Sequence, residues 1–224
     1  MRPRLLNIYH QLYRVLGPQG WWPGRSRFEV IVGAILAQNT NWGNVEKAMR
    51  RLRRARVLTP SSMSALSRRR LANLIRPAGY FWVKATRLHN FLAFLHMRHG
   101  GSLTRMFREK PTRLREGLLQ VSGIGPETAD SILLYAGNMP VFVVDAYTKR
   151  IFSRHRLVSS RATYQELQDL FMNHLPRDAR LYNEYHALLV RIGKEYCRPI
   201  PRCQSCPLRS DLEGYNIPLP TDDR

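Results

Sequence analysis

The chain has 224 residues, 44% of them apolar, enough to pack one large domain or two small lobes, so disorder is not the default reading. No run approaches the roughly 20 apolar residues of a membrane span, and the basic start Met1-Arg-Pro-Arg lacks the apolar stretch and cleavage site of a secretory signal, so a cytoplasmic protein is expected. Against 16 Asp and Glu stand 36 Lys and Arg, a net +20 with clusters at Arg50–Arg56 and Arg68–Arg70, and such an excess points to a polyanionic partner such as nucleic acid.

Helical periodicity, punctuated by Pro and Gly, runs along the chain. It predicts a helix over Leu5–Leu16, ended by Gly17-Pro18. A second spans Ser26–Gln38, with Ser26 as N-cap and Phe28, Ile31, Val32, Ile35 and Leu36 on one face. A third runs from Asn44 to Arg56. Helices follow at Met63–Leu66 with Arg69–Ile75, then at Val83–Arg98 and Pro111–Leu119. The last predicted set is Pro126–Ala136, Ala146–Ser153, Thr163–His174 and Ala179–Glu195, and the Pro-rich segment after Cys197 is predicted irregular. No strand-length alternation competes and no internal repeat is present, so the fold class is all-α, with about ten short helices.

The most specific stretch is Leu119-Gln-Val121-Ser-Gly123-Ile124-Gly125-Pro126-Glu127-Thr128-Ala129. A helix arrives, Gly123 and Gly125 permit a tight turn, and Pro126 opens the next helix at its favoured first position. Such a hairpin presents unpaired backbone N–H groups at a helix start, a ready site for a DNA phosphate. Eighteen residues after Glu127, Asp145 follows Phe142-Val143-Val144 and precedes a helix. By itself Asp145 reads as an N-cap. Hairpin and aspartate at this spacing together resemble the helix-hairpin-helix DNA glycosylases of the endonuclease III superfamily, over roughly Phe28 to Leu208. The resemblance implies a two-lobed helix-hairpin-helix fold with DNA in a cleft between lobes, one lobe 21–129 ending in the hairpin and the other 1–20 plus 130–224. It also implies a catalytic role for Asp145, hairpin contacts to DNA from Gly123, Gly125 and Thr128, and a monomer acting on double-stranded DNA with a damaged base, associated with the nucleoid.

Bifunctional members of that superfamily carry a lysine where this chain has Glu127. A carboxylate forms no imine with the sugar, so base removal without strand cleavage is expected. Trp21-Trp22-Pro23, the run Phe28–Trp42 and Arg76-Pro77-Ala78-Gly79-Tyr80 narrow the resemblance to the endonuclease III-like 3-methyladenine glycosylases. There Trp21, Trp22 and Trp42 would line the base pocket, where aromatic faces attract a cationic alkylated purine, and Glu127 would add selectivity for positive charge. The same three tryptophans also suit plain packing. Gln38 matches the residue that enters the duplex, and Tyr80 or its neighbour Phe81 is a candidate wedge on the opposite strand. Each also reads as an ordinary cap or loop anchor. Endonuclease III acting on another lesion, with lyase activity, and a non-catalytic hairpin protein that only binds DNA are the alternatives.

Cys197, Cys203 and Cys206 resemble the iron–sulfur loop of endonuclease III, whose [4Fe-4S] cluster takes four cysteines. The fourth position falls near Ser210–Leu212 and holds none, and the first spacing is one residue short. Three readings stand: a cluster with an outside ligand, a loop that folds without metal, or zinc with a non-Cys ligand.

Overall fold

A computed structural model describes residues 1–22 and 24–218. Among these the chain forms no strand and folds as α1 (Arg2–Leu16), α2 (Arg27–Ala37), α3 (Trp42–Arg54), α4 (Pro60–Ser64), α5 (Arg68–Leu74), α6 (Phe81–His99), α7 (Leu103–Met106), α8 (Pro111–Leu119), α9 (Pro126–Ser131), α10 (Ala146–Arg154), α11 (Tyr164–His174), α12 (Ala179–Glu195) and α13 (Arg209–Gly214). No helix among the described residues is long and apolar enough to cross a membrane.

Short polar side chains start most of these helices by accepting an otherwise orphaned backbone N–H. Ser26, Asn41, Ser67, Ser102, Asp145 and Asp178 each do so, and Thr59 and Thr163 form reciprocal capping boxes with Ser62 and Glu166. Each such cap contributes about 1 kcal/mol. Asn41 explains why α3 begins at Trp42, ahead of the Asn44 predicted. The predicted helix 126–136 changes pitch instead of staying regular: after Ser131 it widens into a π turn over Ile132–Ala136. Helices α7 and α13 were not predicted, because four- and six-residue segments carry too little periodicity.

The chain divides into two compact units, Trp22–Met139 and Met1–Trp21 with Pro140–Arg224, of which 219–224 lie outside the described residues. In the first, α2 is the central rod. Every residue from Phe28 to Leu36 is buried, with α3, α6, α9 and the π turn packed against it. An all-round apolar helix is stable only when enclosed in this way. In the second unit α12 packs on α1 and α10, around an aromatic core. Phe142 stacks on Phe171 with ring centroids 3.7 Å apart, Tyr185 meets both edge-on, and its hydroxyl donates to the Leu5 carbonyl at 2.8 Å. Gly193 is required here, since a Cβ on it would lie 2.4 Å from the Tyr147 ring.

Candidate active site

In the unit Trp22–Met139 the hairpin joins α8 to α9. Val121 and Ile124 are buried and anchor it, and Arg115 on α8 grips the fully buried Asp130 on α9 through Nε and Nη2 at 2.6 and 3.0 Å. The two glycines do different jobs. Gly123 has φ 92°, and a Cβ there would fall 2.4 Å from Cγ of Arg87. Gly125 has an ordinary φ of −92°, and a Cβ on it would meet nothing within 4 Å. Gly123 is thus needed by the turn, whereas Gly125 leaves open space before the uncapped first turn of α9. Gly123→Ala is expected to destabilise the fold by about 1–3 kcal/mol through backbone strain and the Arg87 clash. Gly125→Ala is expected to melt like the parent yet bind duplex DNA more weakly. Thermal melts and a binding isotherm on both variants check the pair.

Gln38 ends α2 and turns toward the hairpin. Its Nε2 donates to the Gly123 carbonyl at 3.0 Å and to Thr128 Oγ1 at 2.8 Å, while its Oε1 accepts from Arg87 Nη1. Tyr80 is 71% exposed at φ 44°, a left-handed conformation that costs a non-glycine residue about 1–2 kcal/mol. Phe81 beside it is half-buried in the first turn of α6, with the Arg76 guanidinium 5.9 Å from its ring, and the exposed aromatic there is Trp82. Glu127 is exposed on the first turn of α9.

Trp22 and Trp42 meet edge to face, centroids 5.0 Å apart, and Trp22 also lies 4.9 Å from Tyr135. Gly33 on α2 makes room for Trp22, whose Nε1 sits 3.3 Å from where a Cβ would be. Trp42 donates its Nε1–H to Glu46 at 3.1 Å. Trp22, Trp42 and Glu46, with Glu29, Met49 and Arg53, line a cavity of about 170 Å³. Burial pushes the Glu29 carboxyl up, but the hydrogen bonds from Arg53, the shortest at 2.7 Å, and from the Arg25 backbone, together with both guanidinium charges, leave it below its usual value.

In the other unit, Asp145 caps α10. Its Oδ1 accepts from Thr148 N at 2.7 Å and from Thr148 Oγ1 at 2.8 Å. Its Oδ2 lies 3.7 Å from Nε2 of His186, a buried histidine on α12. Burial lowers the His186 pKa, with Asp145 opposing. The strand-like approach to Asp145 is fixed by Gln168, which donates to the Phe142 carbonyl at 2.7 Å, and by the stacking of Phe142. Trp21 belongs to this unit, its ring 5.9 Å from Lys194 Nζ. Sequence reasoning missed Arg87, Trp82, Tyr135, Glu46 and His186. Arg87 is one basic residue among many, and His186 sits on an otherwise apolar helix face that reads as core.

The family described as HhH-GPD superfamily base excision DNA repair protein matches residues 32–177. The chain belongs to this superfamily. MJ1434 of Methanocaldococcus jannaschii, which carries the name of a DNA repair glycosylase, is 42% identical over 214 residues, covering 93% of this chain and 97% of the relative. Endonuclease III of Thermotoga maritima is 30% identical over 84% of this chain and 83% of its own length. Among solved structures, the 3-methyladenine DNA glycosylase MagIII of H. pylori bound to 1,N6-ethenoadenine superposes with TM-score 0.76 at 28% identity, over 85% of this chain and 97% of that one. A trapped endonuclease III–DNA covalent intermediate shares the fold, with TM-score 0.80 at 21% identity over 96% and 99% of the two chains. The protein is therefore a DNA N-glycosylase of base-excision repair, and DNA is its substrate.

The cysteine loop of the glycosylase does not fit a four-thiolate cubane. Cys197, Cys203 and Cys206 border a small space that the buried Leu212 also lines, and no fourth cysteine stands there. No group of three or more His, Cys, Asp or Glu among the described residues is arranged to hold a metal ion. Burial pushes the Cys206 thiol up to about 11. Ionic clasps hold the segment instead. Arg4 on α1 meets Asp211 through Nε at 3.0 Å and Nη2 at 2.8 Å, and His155 Nδ1 reaches the same carboxylate at 2.7 Å. Burial raises the Asp211 pKa, yet the hydrogen bonds from His155 and Arg4 more than offset this and leave it below the usual value. A carboxyl depressed in the folded state adds stability above its unfolded pKa, lost as pH falls through the folded one. Acidification below about pH 4 is therefore expected to lower the parent's Tm more steeply than that of Asp211→Asn, with the parent several degrees higher at pH 7. Melts across the pH range check both halves.

Proposed function

We propose that this glycosylase excises cationic N-alkylated purines such as 3-methyladenine by hydrolysis and leaves the strand intact. The observation that carries the reading is the Trp22–Trp42 pair with Tyr135 beside a cavity bordered by Glu46 and by Glu29 in its ion pair with Arg53. Aromatic faces stack a purine and attract positive charge, at about 0.5–2 kcal/mol per cation–π contact, and carboxylates favour a cationic base over a neutral one. The 28% likeness to MagIII, named as a 3-methyladenine glycosylase, supports the same choice.

An alkylated purine already bears the charge that a leaving group needs, so the C1′–N bond breaks with its electron pair going to a base that departs neutral. No general acid is needed at that step. Asp145 would then stabilise the positive charge left on the sugar and take the proton from the attacking water. Its Oδ1 is occupied by Thr148, which leaves Oδ2 to face that work. Trp21 would complete the aromatic lining. Gly123, Gly125 and Thr128 would set the hairpin on the phosphates, and Gln38 would fill the gap left by the everted nucleotide. Tyr80, flanked by Phe81 and by the exposed Trp82, would wedge the opposite strand. Glu127, exposed where a lysine would attack the sugar, excludes imine formation at that position. The enzyme would work as a monomer on nucleoid DNA.

Chromatography of bases released from methylated duplex DNA tests the substrate. 3-Methyladenine is the expected peak. Release of oxidised pyrimidines or mismatched thymine with no alkylpurine would overturn the reading.

A further inference from the structure

The first turns of α6 hold a charge that the chemistry above does not use. Lys84 is 1% exposed, although burying an ammonium costs several kcal/mol unless it is well partnered. Among the described residues it has no carboxylate partner. Its Nζ donates to the Leu36 carbonyl at 2.9 Å and to the Ala78 carbonyl at 2.7 Å. Leu36 is near the end of α2, two residues before Gln38, and Ala78 is two residues before Tyr80. The Lys84 backbone N–H also donates to the Tyr80 carbonyl at 2.9 Å. One turn on, Arg87 donates to Gln38 and lies against Gly123. A single helix face thus holds the ends of both segments whose side chains are assigned to the duplex.

We propose that Lys84 is a positioning residue that locks the Gln38 and Tyr80 segments in one register, so that gap filling and opposite-strand wedging occur as a coupled event. The proposal rests on the assignment of Gln38 and Tyr80 to the duplex made above. The ammonium suits the task because the carbonyls at a helix C-terminus and a tight turn are both orphaned acceptors, and only a long, multi-donor side chain reaches two of them. Burial, with Arg87 nearby, lowers the Lys84 pKa to about 8, so it stays mostly charged at neutral pH. An apolar residue of equal length would fill the space and leave both carbonyls unsatisfied, freeing the segments to move independently.

The test is a double-mutant cycle on a duplex carrying a tetrahydrofuran abasic analogue beside 2-aminopurine, whose fluorescence reports local unstacking. Affinity and fluorescence are measured for Gln38→Ala, Tyr80→Ala and the pair, in the parent and in Lys84→Met. In the parent the two losses are expected to be non-additive by about fivefold or more. In Lys84→Met the same pair is expected to become additive. If the Met variant does not fold, Lys84→Gln, which reaches one carbonyl and not both, is expected to lose at least half of the coupling. Coupling that persists at the parent level in either folded variant, or strict additivity in the parent, overturns the proposal. Variants Gln38→Ala and Tyr80→Ala that both bind like the parent also overturn it, along with that assignment. Because the probe has no base to release, none of these outcomes bears on the alkylpurine reading, which stands or falls on base release.

Discussion

Asp145→Asn is expected to lower single-turnover release of an alkylated purine by about 10³-fold with no loss of folding. The two parts of this expectation separate chemistry from structure. Asparagine caps a helix about as well as aspartate, and its side-chain oxygen can still accept from Thr148 N and Oγ1, which now hold Oδ1 at 2.7 and 2.8 Å. The Tm should stay within a degree or two of the parent, at about 1 kcal/mol or less. What disappears is the negative charge proposed to stand beside the sugar and to take the proton of water. A barrier rise of about 4 kcal/mol follows if that charge is the main stabiliser of the transition state. Asp145→Ala adds the loss of the cap and should lower both activity and Tm. Near-parental release by the Asn variant would reduce Asp145 to a capping residue.

Trp42→Ala carries the second large effect. The indole borders the cavity, meets Trp22 edge to face and is itself oriented by Glu46 at 3.1 Å. Removing it takes away one aromatic face and the support of another. For a cationic base in a desolvated site that is worth about 2–3 kcal/mol, on the order of 100-fold in kcat/KM. Trp42→Phe keeps a face and should stay within about tenfold, losing only the stronger indole quadrupole and the bond to Glu46. Affinity for undamaged duplex should be the same for all three proteins, because the hydrogen bonds of Gln38 run to Gly123, Thr128 and Arg87. Rates for neutral alkylated bases should fall less than those for cationic ones. Equal losses on both would mean that the ring acts by shape alone.

Local chemistry made much of this architecture legible in advance. Ser26, Asp145 and Thr163 are short polar caps ahead of apolar periods, and a cap is written in three or four consecutive residues. The hairpin is likewise a contiguous pattern, which is why Gly123 and Pro126 fall where the spacing puts them. The partnerships were not legible. Gln38 ends a helix in a way that suits any exposed polar residue, and only the folded chain brings it to Gly123 and Thr128, 85 and 90 positions away. Tyr135 has no motif of its own and becomes notable only by facing Trp22. Gly125 read as a conformational glycine, yet its φ is one any residue adopts, and its small size matters for the space in front of it. At the cysteine loop the sequence showed a missing fourth ligand but not its substitute. Leu212 at the sulfurs is a near neighbour that no motif marks, and the Arg4–Asp211–His155 clasp brings together residues up to 207 positions apart.

The most direct measurement of the central claim is a single-turnover gel assay on a duplex with one alkylated purine at a known position, split into portions with and without alkali. The expected result is an intact strand without alkali and complete cleavage at the lesion with it, since an abasic site is left unbroken. Strand cleavage without alkali, or a borohydride-trapped protein–DNA adduct, would contradict the account by showing that an amine elsewhere in the chain forms the imine that Glu127 cannot.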